Sequence, residues 1–274
     1  MTPPAESGNF YVLNVSGVSC ISPQPLEIRY AVDNYRNNGL AHWVYLGDVF
    51  GNSKYNFQVD TTIANNSMAL KTVGDALYDW TQITGIDWDL LGTSNLNTEN
   101  PNDTVNLIYM ADSTEFIGSS FGSTASAIRR IERCFGVPAL GEPDTILGYY
   151  FDLDIKIRED VTQIGSAGWH FDDSTPPGLN SNLFDFYSVV LHELGHCHDL
   201  KHAIPDTKLM YWQLNTGDRQ GISTEDGEGG THALVESNTA LPIASTRCAP
   251  PIGKSFSLCT TSVDNVKDYH KINI

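Results

Sequence analysis

His192-Glu193-Leu194-Gly195-His196-Cys197-His198-Asp199-Leu200-Lys201-His202 decides how this chain is read. The residues just before it, Phe186-Tyr-Ser-Val-Val-Leu191, are apolar, so a helix is expected over about Phe184–Leu200. On a helix, His192 and His196 stand one turn apart and share a face. Two imidazoles placed so can grip one zinc ion through bonds of about 2.0–2.1 Å. Glu193 lies one residue round, near enough to reach a water on such a metal without competing for it. An unbroken helix would carry His202 roughly 80° away from His192, at ~100° per residue. The chain must therefore turn near Asp199 for His202 to return as a third ligand. Three protein ligands and one open position mark a catalytic zinc site rather than a structural one. A buried helix whose histidines serve only the core is the competing reading, and the third histidine at this spacing weighs against it. His198 lies about 200° from His196 and faces away. Cys197 reads as a packed thiol.

Outward from this segment the pattern is mixed. Strands are expected at Asn9–Val15, Leu26–Val32, His42–Val49 and Tyr55–Val59, between Gly, Asn and Pro turns. From Ser67 to about Thr84 the period becomes helical, with Ser67 as cap and Leu70, Val73, Leu77 and Trp80 on one stripe. Val105–Met110 is a short apolar strand. The Gly/Ser-rich stretch 111–145 is expected to hold a short helix at Ala125–Cys134. Ile146–Ile157 alternates in its second half, as a half-buried or edge strand does. Turns fill Asp172–Asn182. A later helix starts at Ser223, with Asp226 three residues on in a capping-box arrangement. The tail 238–274 reads as mostly irregular. The fold class expected is α+β.

Composition narrows the partners. A net charge of −17 argues against nucleic acid and anionic membranes, since phosphate needs a basic face. No apolar run approaches the ~18–20 residues of a membrane span. Only 18% of residues are charged, and the polar remainder is Asn, Ser, Thr and Gly, a surface common in secreted proteins. The opening Met1-Thr-Pro-Pro-Ala-Glu-Ser-Gly8 shows no signal peptide, which suits a cytosolic protein or a mature form behind an added Met1. An extracellular location is the expectation. Cys20, Cys134, Cys248 and Cys259 allow two bridges in three connectivities, with Cys248–Cys259 favoured and all five cysteines as free thiols the alternative.

HELGHCHDLKH resembles the HExxHxxGxxH zinc-binding consensus of the metzincin metalloproteases. Lys208-Leu209-Met210-Tyr211 is similar to the Met-turn of their matrixin branch. Ile222-Ser-Thr-Glu225-Asp226 is similar to the Leu-Ser-x-Asp-Asp start of that branch's C-terminal helix. The helix at Ser67–Thr84 and its neighbouring strands fit the order of elements before a metzincin active-site helix. Motifs carry the resemblance over about 184–230, element order alone over 46–183, and nothing over 1–45 or 238–274. The resemblance implies a zincin-like twisted mixed sheet, an active-site helix, and a smaller C-terminal subdomain below the zinc cleft. The chain then divides into a β extension at 1–45, a catalytic domain at 46–237 with its subdomain from 203, and the tail.

Carried over by position, the resemblance makes His192, His196 and His202 the zinc ligands and Glu193 the general base. Met210 becomes the residue packed beneath the metal, where an ordinary core methionine is the alternative. Asp199 stands where the family has glycine. Asp enters the left-handed region more readily than most residues, at a cost of about 1 kcal/mol, and its side chain is expected to bond nearby backbone. Arg133-Cys134-Phe-Gly-Val-Pro138 bears a faint likeness to the matrixin propeptide switch, but it has an extra residue and the wrong place in the chain.

The function expected is a zinc endopeptidase acting on protein or peptide substrates outside the cell. Zinc lowers the pKa of its water and Glu193 takes the proton. Ile146–Ile157 is the candidate edge for an extended substrate, with Gly165–Phe171 as the alternative. Tyr211–Leu214 would wall the pocket beyond the cleaved bond. Calcium is a second candidate metal, at the acidic loops Asp172-Asp173 and Glu225–Glu228, which are more often simply solvated and show no EF-hand pattern. An inactive zinc-binding module is one rival class, and a cytosolic zinc protein or non-proteolytic hydrolase is the other.

Overall fold

Residues 10–13, 30–32, 35–37, 40–45, 54–98, 100, 105–116, 123–133, 145–178, 180–203, 206–239, 241–242 and 269–272 are described in the computed structural model. The chain runs through β1 (Phe10–Leu13), β2 (Ala31–Val32), β3 (Tyr35–Asn37), β4 (Leu40–Tyr45) and β5 (Lys54–Val59). A one-turn helix α1 (Thr61–Ala64) leads into α2 (Ser67–Thr84). Then come β6 (Asp87–Thr93), β7 (Asn106–Ala111), β8 (Ala125–Arg133) and β9 (Thr145–Arg158). The short strands β10 (Gly168–His170) and β11 (Leu183–Asp185) precede α3 (Phe186–Cys197). Last are β12 (Leu200–Lys201), α4 (Thr224–Thr239), β13 (Leu241–Pro242) and β14 (Tyr269–Ile272).

The architecture is mixed α/β around a mostly parallel five-stranded sheet in the order β6-β5-β7-β9-β8. Parallel neighbours cannot be joined by a tight turn, and α2 supplies the crossover from β5 to β6. β8 alone of the five runs antiparallel, with Ala127 opposite Ile155 and Arg129 opposite Leu153. On its other side β9 pairs with β7 through Ile155–Arg158 and with β4 through residues 145–149. β3 and β13 join the sheet at that end, so segments from both the N-terminal extension and the tail attach to β9.

Burial on both faces explains β7, which is apolar after its first residue. Ile108 and Met110 enter the main core with Leu153, Ile155 and Ile157. Leu107, Tyr109 and Ala111 meet Phe116 on the opposite face. α2 presents Ala69, Val73, Ala76, Leu77 and Trp80 to the main core at helical spacing. Asn66, not Ser67, is its cap and accepts from the Met68 and Ala69 N–H groups, and Gly85 closes the helix with φ +78°. Trp80 Nε1 donates to the Leu191 carbonyl at 2.9 Å, which joins α2 to α3. α4 is nested against α2, because a Cβ at Gly230 would come within 2.9 Å of Thr84 Cγ2.

Two further expectations are corrected. Ala125–Arg133 is a strand, since nine successive residues pair with β9 and that pairing outweighs a helix-like spacing of isoleucines. Ile146–Ile157 is interior rather than an edge, flanked by β8 on one side and by β7 and β4 on the other. Gly168–His170, within the alternative segment, pairs with Leu183–Asp185 in a separate two-stranded sheet. Among the described residues the outer side of β8 carries no strand, so β8 is the edge. The proposed disulfides involve Cys20, Cys134, Cys248 and Cys259, which lie outside the described residues. No helix among the described residues is long and apolar enough to cross a membrane.

Candidate metal centre

α3 begins at Asp185, whose carboxylate accepts from the Ser188 N–H at 3.1 Å. Arg219 grips both oxygens of that carboxylate at 2.7 and 3.0 Å and also donates to the Asp172 and Asp173 carbonyls. The helix start is thus pinned to the preceding loop. Its end is sharp. His198 returns its N–H to the Leu194 and Gly195 carbonyls, and Asp199 takes φ +64°. Asp199 is the single non-glycine residue with positive φ among the described residues. The turn near Asp199 that the spacing required is present.

That turn delivers His202 to the other two histidines. One ring nitrogen from each of His192, His196 and His202 falls in a group spanning no more than 4.8 Å. His192 Nδ1 donates to the Leu209 carbonyl at 2.7 Å and His196 Nδ1 to the Leu200 carbonyl at 2.8 Å. Carbonyls only accept, so both Nδ1 atoms hold the proton and both Nε2 atoms carry the lone pair, the form in which imidazole can ligate. His196 Nε2 and His202 Nε2 stand 3.2 Å apart. Bonds of about 2.0–2.1 Å in a tetrahedron put two ligand nitrogens about 3.3 Å from each other, so this pair already has that spacing. Burial, with His192 and His202 close by, holds the His196 pKa well below its ordinary value. Neutral imidazole is the form that ligates. The residues fit a metal ion.

Glu193 is 6% exposed, directly beside this group. Burial pushes its carboxyl up to about 8, against the opposing pull of the Ala127 N–H and the Arg129 charge. Its Oε2 is buried and lacks a hydrogen-bond partner among the described residues. A buried acceptor left so is costly unless something polar meets it.

Met210 is buried beneath the helix, with 2% exposure. Leu209 ties this turn into the site twice. Its carbonyl receives His192, and its N–H donates to Asp226 Oδ2 at 3.1 Å. The same Asp226 oxygen accepts from the Ser223 N–H while Ser223 Oγ accepts from the Asp226 N–H, which completes the expected capping box. Met210 approaches so near Gly195 that a Cβ there would overlap its Sδ and lie 3.3 Å from the Trp80 ring. Gly195→Ala is therefore expected to destabilise the protein by about 1–3 kcal/mol, as overpacking does. Urea unfolding of the variant with an unchanged slope checks this.

The group opens on a cleft of about 780 Å³. Ala125, Ser126 and Ala127 of β8 line it, as do Tyr211, Trp212 and Leu214. Tyr211–Leu214 thus stand where a pocket wall was expected. His198 is no ligand: it is stacked between Trp80 and Trp88 with ring centroids 4.5 and 4.4 Å away, and burial pushes its pKa down to about 3. Cys197 is a buried free thiol whose pKa burial raises. Of the two acidic segments, Asp172-Asp173 is a loop and Glu225–Glu228 is the start of α4, and several of their carboxylates have protein partners. Asp172 accepts from Ser174 and Thr175, Asp173 from Lys71, Glu225 pairs with Lys208 at 2.5 Å, and Asp226 has its capping role. Among the described residues only the three histidines form a group fit for a metal.

Sequence reasoning missed Arg129, Tyr150 and Ala127. Asp199 was expected to bond backbone, but its side chain instead accepts from Arg129 Nη1 at 2.9 Å and from the Tyr150 hydroxyl. No signal in the local sequence pointed to those partners, which come from β8 and β9. Compared with protein-family models and with curated proteins, the sequence finds no match.

Proposed function

We propose that this chain is a zinc-dependent endopeptidase of the metzincin kind, acting on extracellular protein or peptide substrates. The observation that carries the reading is the convergence of three histidine nitrogens beside the unsatisfied carboxylate oxygen of Glu193, at the foot of an open cleft. An all-imidazole set suits zinc better than the oxygen-preferring metals. Placement of Met210 under α3, and of an antiparallel edge strand over it, also supports the resemblance.

When bound, zinc supplies Lewis acidity toward a water molecule and a carbonyl oxygen. Glu193 takes the proton released by the attacking water and returns it to the leaving amine. An extended peptide pairs antiparallel with the outer edge of β8, backbone to backbone, as strand addition requires. This places its scissile bond between β8 and the three histidines. Tyr211, Trp212 and Leu214 then meet the side chains beyond that bond.

The test is metal analysis together with cleavage of an unfolded protein. One zinc per chain is expected, with cleavage lost on chelation and restored by stoichiometric zinc. One zinc per chain without cleavage of any peptide in a broad library would make the protein a binding module instead.

A further inference from the structure

We propose that Arg129 and Tyr150 are positioning residues for the metal centre: together they clamp Asp199 in the left-handed turn that returns His202 to the other two histidines. The inference rests on the three-histidine reading above and goes beyond it to the device that holds the third ligand in place.

The need for a clamp follows from the backbone. A residue with a Cβ loses free energy in the left-handed region, and glycine is the usual occupant because it does not. Asp199 occupies that region with φ +64° and is 1% exposed. It therefore brings two costs, a strained backbone and a carboxylate removed from water. Two donors meet at one oxygen of that carboxylate. Arg129 Nη1 lies 2.9 Å from Asp199 Oδ1 and 3.0 Å from the His196 carbonyl. The Tyr150 hydroxyl donates to the same Asp199 oxygen and lies 3.3 Å from the same nitrogen. One guanidinium thus spans the last turn of α3 and the reversal after it, from the carbonyl of one ligand to the residue three before the next.

The clamp is anchored in the sheet. Arg129 faces Leu153 on β9, and Tyr150 pairs with Ile131 on β8, so the two come from adjacent strands at fixed register. Helix end, turn and sheet are joined at a single carboxylate oxygen. What glycine does by lacking a side chain, Asp199 does by having one that the sheet can hold.

This account differs in a measurable way from one in which Arg129 merely supports the sheet. A glycine at 199 needs no clamp, so Asp199→Gly should make the centre indifferent to Arg129 and Tyr150. The experiment is a double-mutant cycle over Arg129→Met, Asp199→Gly and the combined variant. Zinc affinity is read by competition with a chromophoric chelator, ligand geometry by the visible spectrum of the cobalt-substituted protein, and fold by the Tm of the metal-free protein. Arg129→Met alone is expected to weaken zinc about 10–100-fold, the loss typical of removing an orienting partner, and to alter the cobalt spectrum. In the Asp199→Gly background the same substitution is expected to change affinity less than about twofold. Tyr150→Phe, which keeps the ring and the charge pair, runs through the same cycle with smaller losses and serves if Arg129→Met does not fold. Equal weakening in both backgrounds overturns the proposal, as does wild-type affinity in folded Arg129→Met. If the wild type takes up no zinc, or His202→Ala keeps full affinity, the three-histidine reading itself has failed and the clamp falls with it.

Discussion

Replacing Glu193 with glutamine should lower peptide hydrolysis about a thousandfold, the middle of the range for a general acid–base group, while one zinc per chain still binds. The substitution keeps shape and a carbonyl oxygen that can accept from the Ala127 N–H. It removes the capacity to take a proton from water and hand it on. Glu193 is not placed among the ligating atoms, so metal affinity is expected to stay within a few-fold of the wild type. The neutral amide also removes a carboxylate that burial disfavours in its charged form, so Tm is not expected to drop. Hydrolysis at the wild-type rate in Glu193→Gln, with zinc bound, would sink the proton-transfer role.

The second large effect is on the metal. His202→Ala should weaken zinc binding by more than about a hundredfold, because loss of an outer partner alone costs 10–100-fold and this change removes a ligand. Two imidazoles on one helix face remain. His202 is only half-buried, and its removal leaves the α3 core of Val190, Leu191 and Leu194 intact. The folded variant can therefore be titrated directly against a chelator. Full affinity in His202→Ala would refute the three-histidine centre whatever the activity assays show. The two substitutions separate ligand from base: one should lose metal, the other only turnover.

The residues that could be read in advance were those whose positions follow from local periodicity. His192, Glu193 and His196 lie within five residues of one helix, and its 3.6-residue period places them. Ser223 and Asp226 were legible as a capping box for the same reason. Arg129 was not, and the cause is specific. The pairing of β8 with β9 shifts register between Arg130 and Ile131. That irregularity breaks the strict alternation of a strand and leaves Ile128 and Ile131 at a helix-like spacing. β9 misled in the opposite way. Its polar residues Asp152, Asp154 and Arg158 alternate with apolar ones as if they faced water, yet each is at most 1% exposed. Arg130 bonds to both aspartates across the strand pair, reaching Asp154 at 2.7 Å. Buried ion pairs write the same letters as a solvated face, and sequence alone does not separate them. Burial nonetheless pushes the Asp154 carboxyl up to about 6 even with Arg130 beside it.

The three histidines and Glu193 occupy eleven consecutive residues, yet the carbonyl that orients His192 belongs to Leu209, and Leu209 is held by Asp226. A chain cut after His202 would contain every ligand and lack the hand that aims the first of them. Because that hold is also the start of α4, and α4 is seated on Trp80 and Thr84 of α2, correct geometry arises only after segments far apart in the chain have docked. Metal capture is thus expected late in the order of assembly. The ion, when it binds, rewards the finished tertiary structure rather than the helix that carries its ligands.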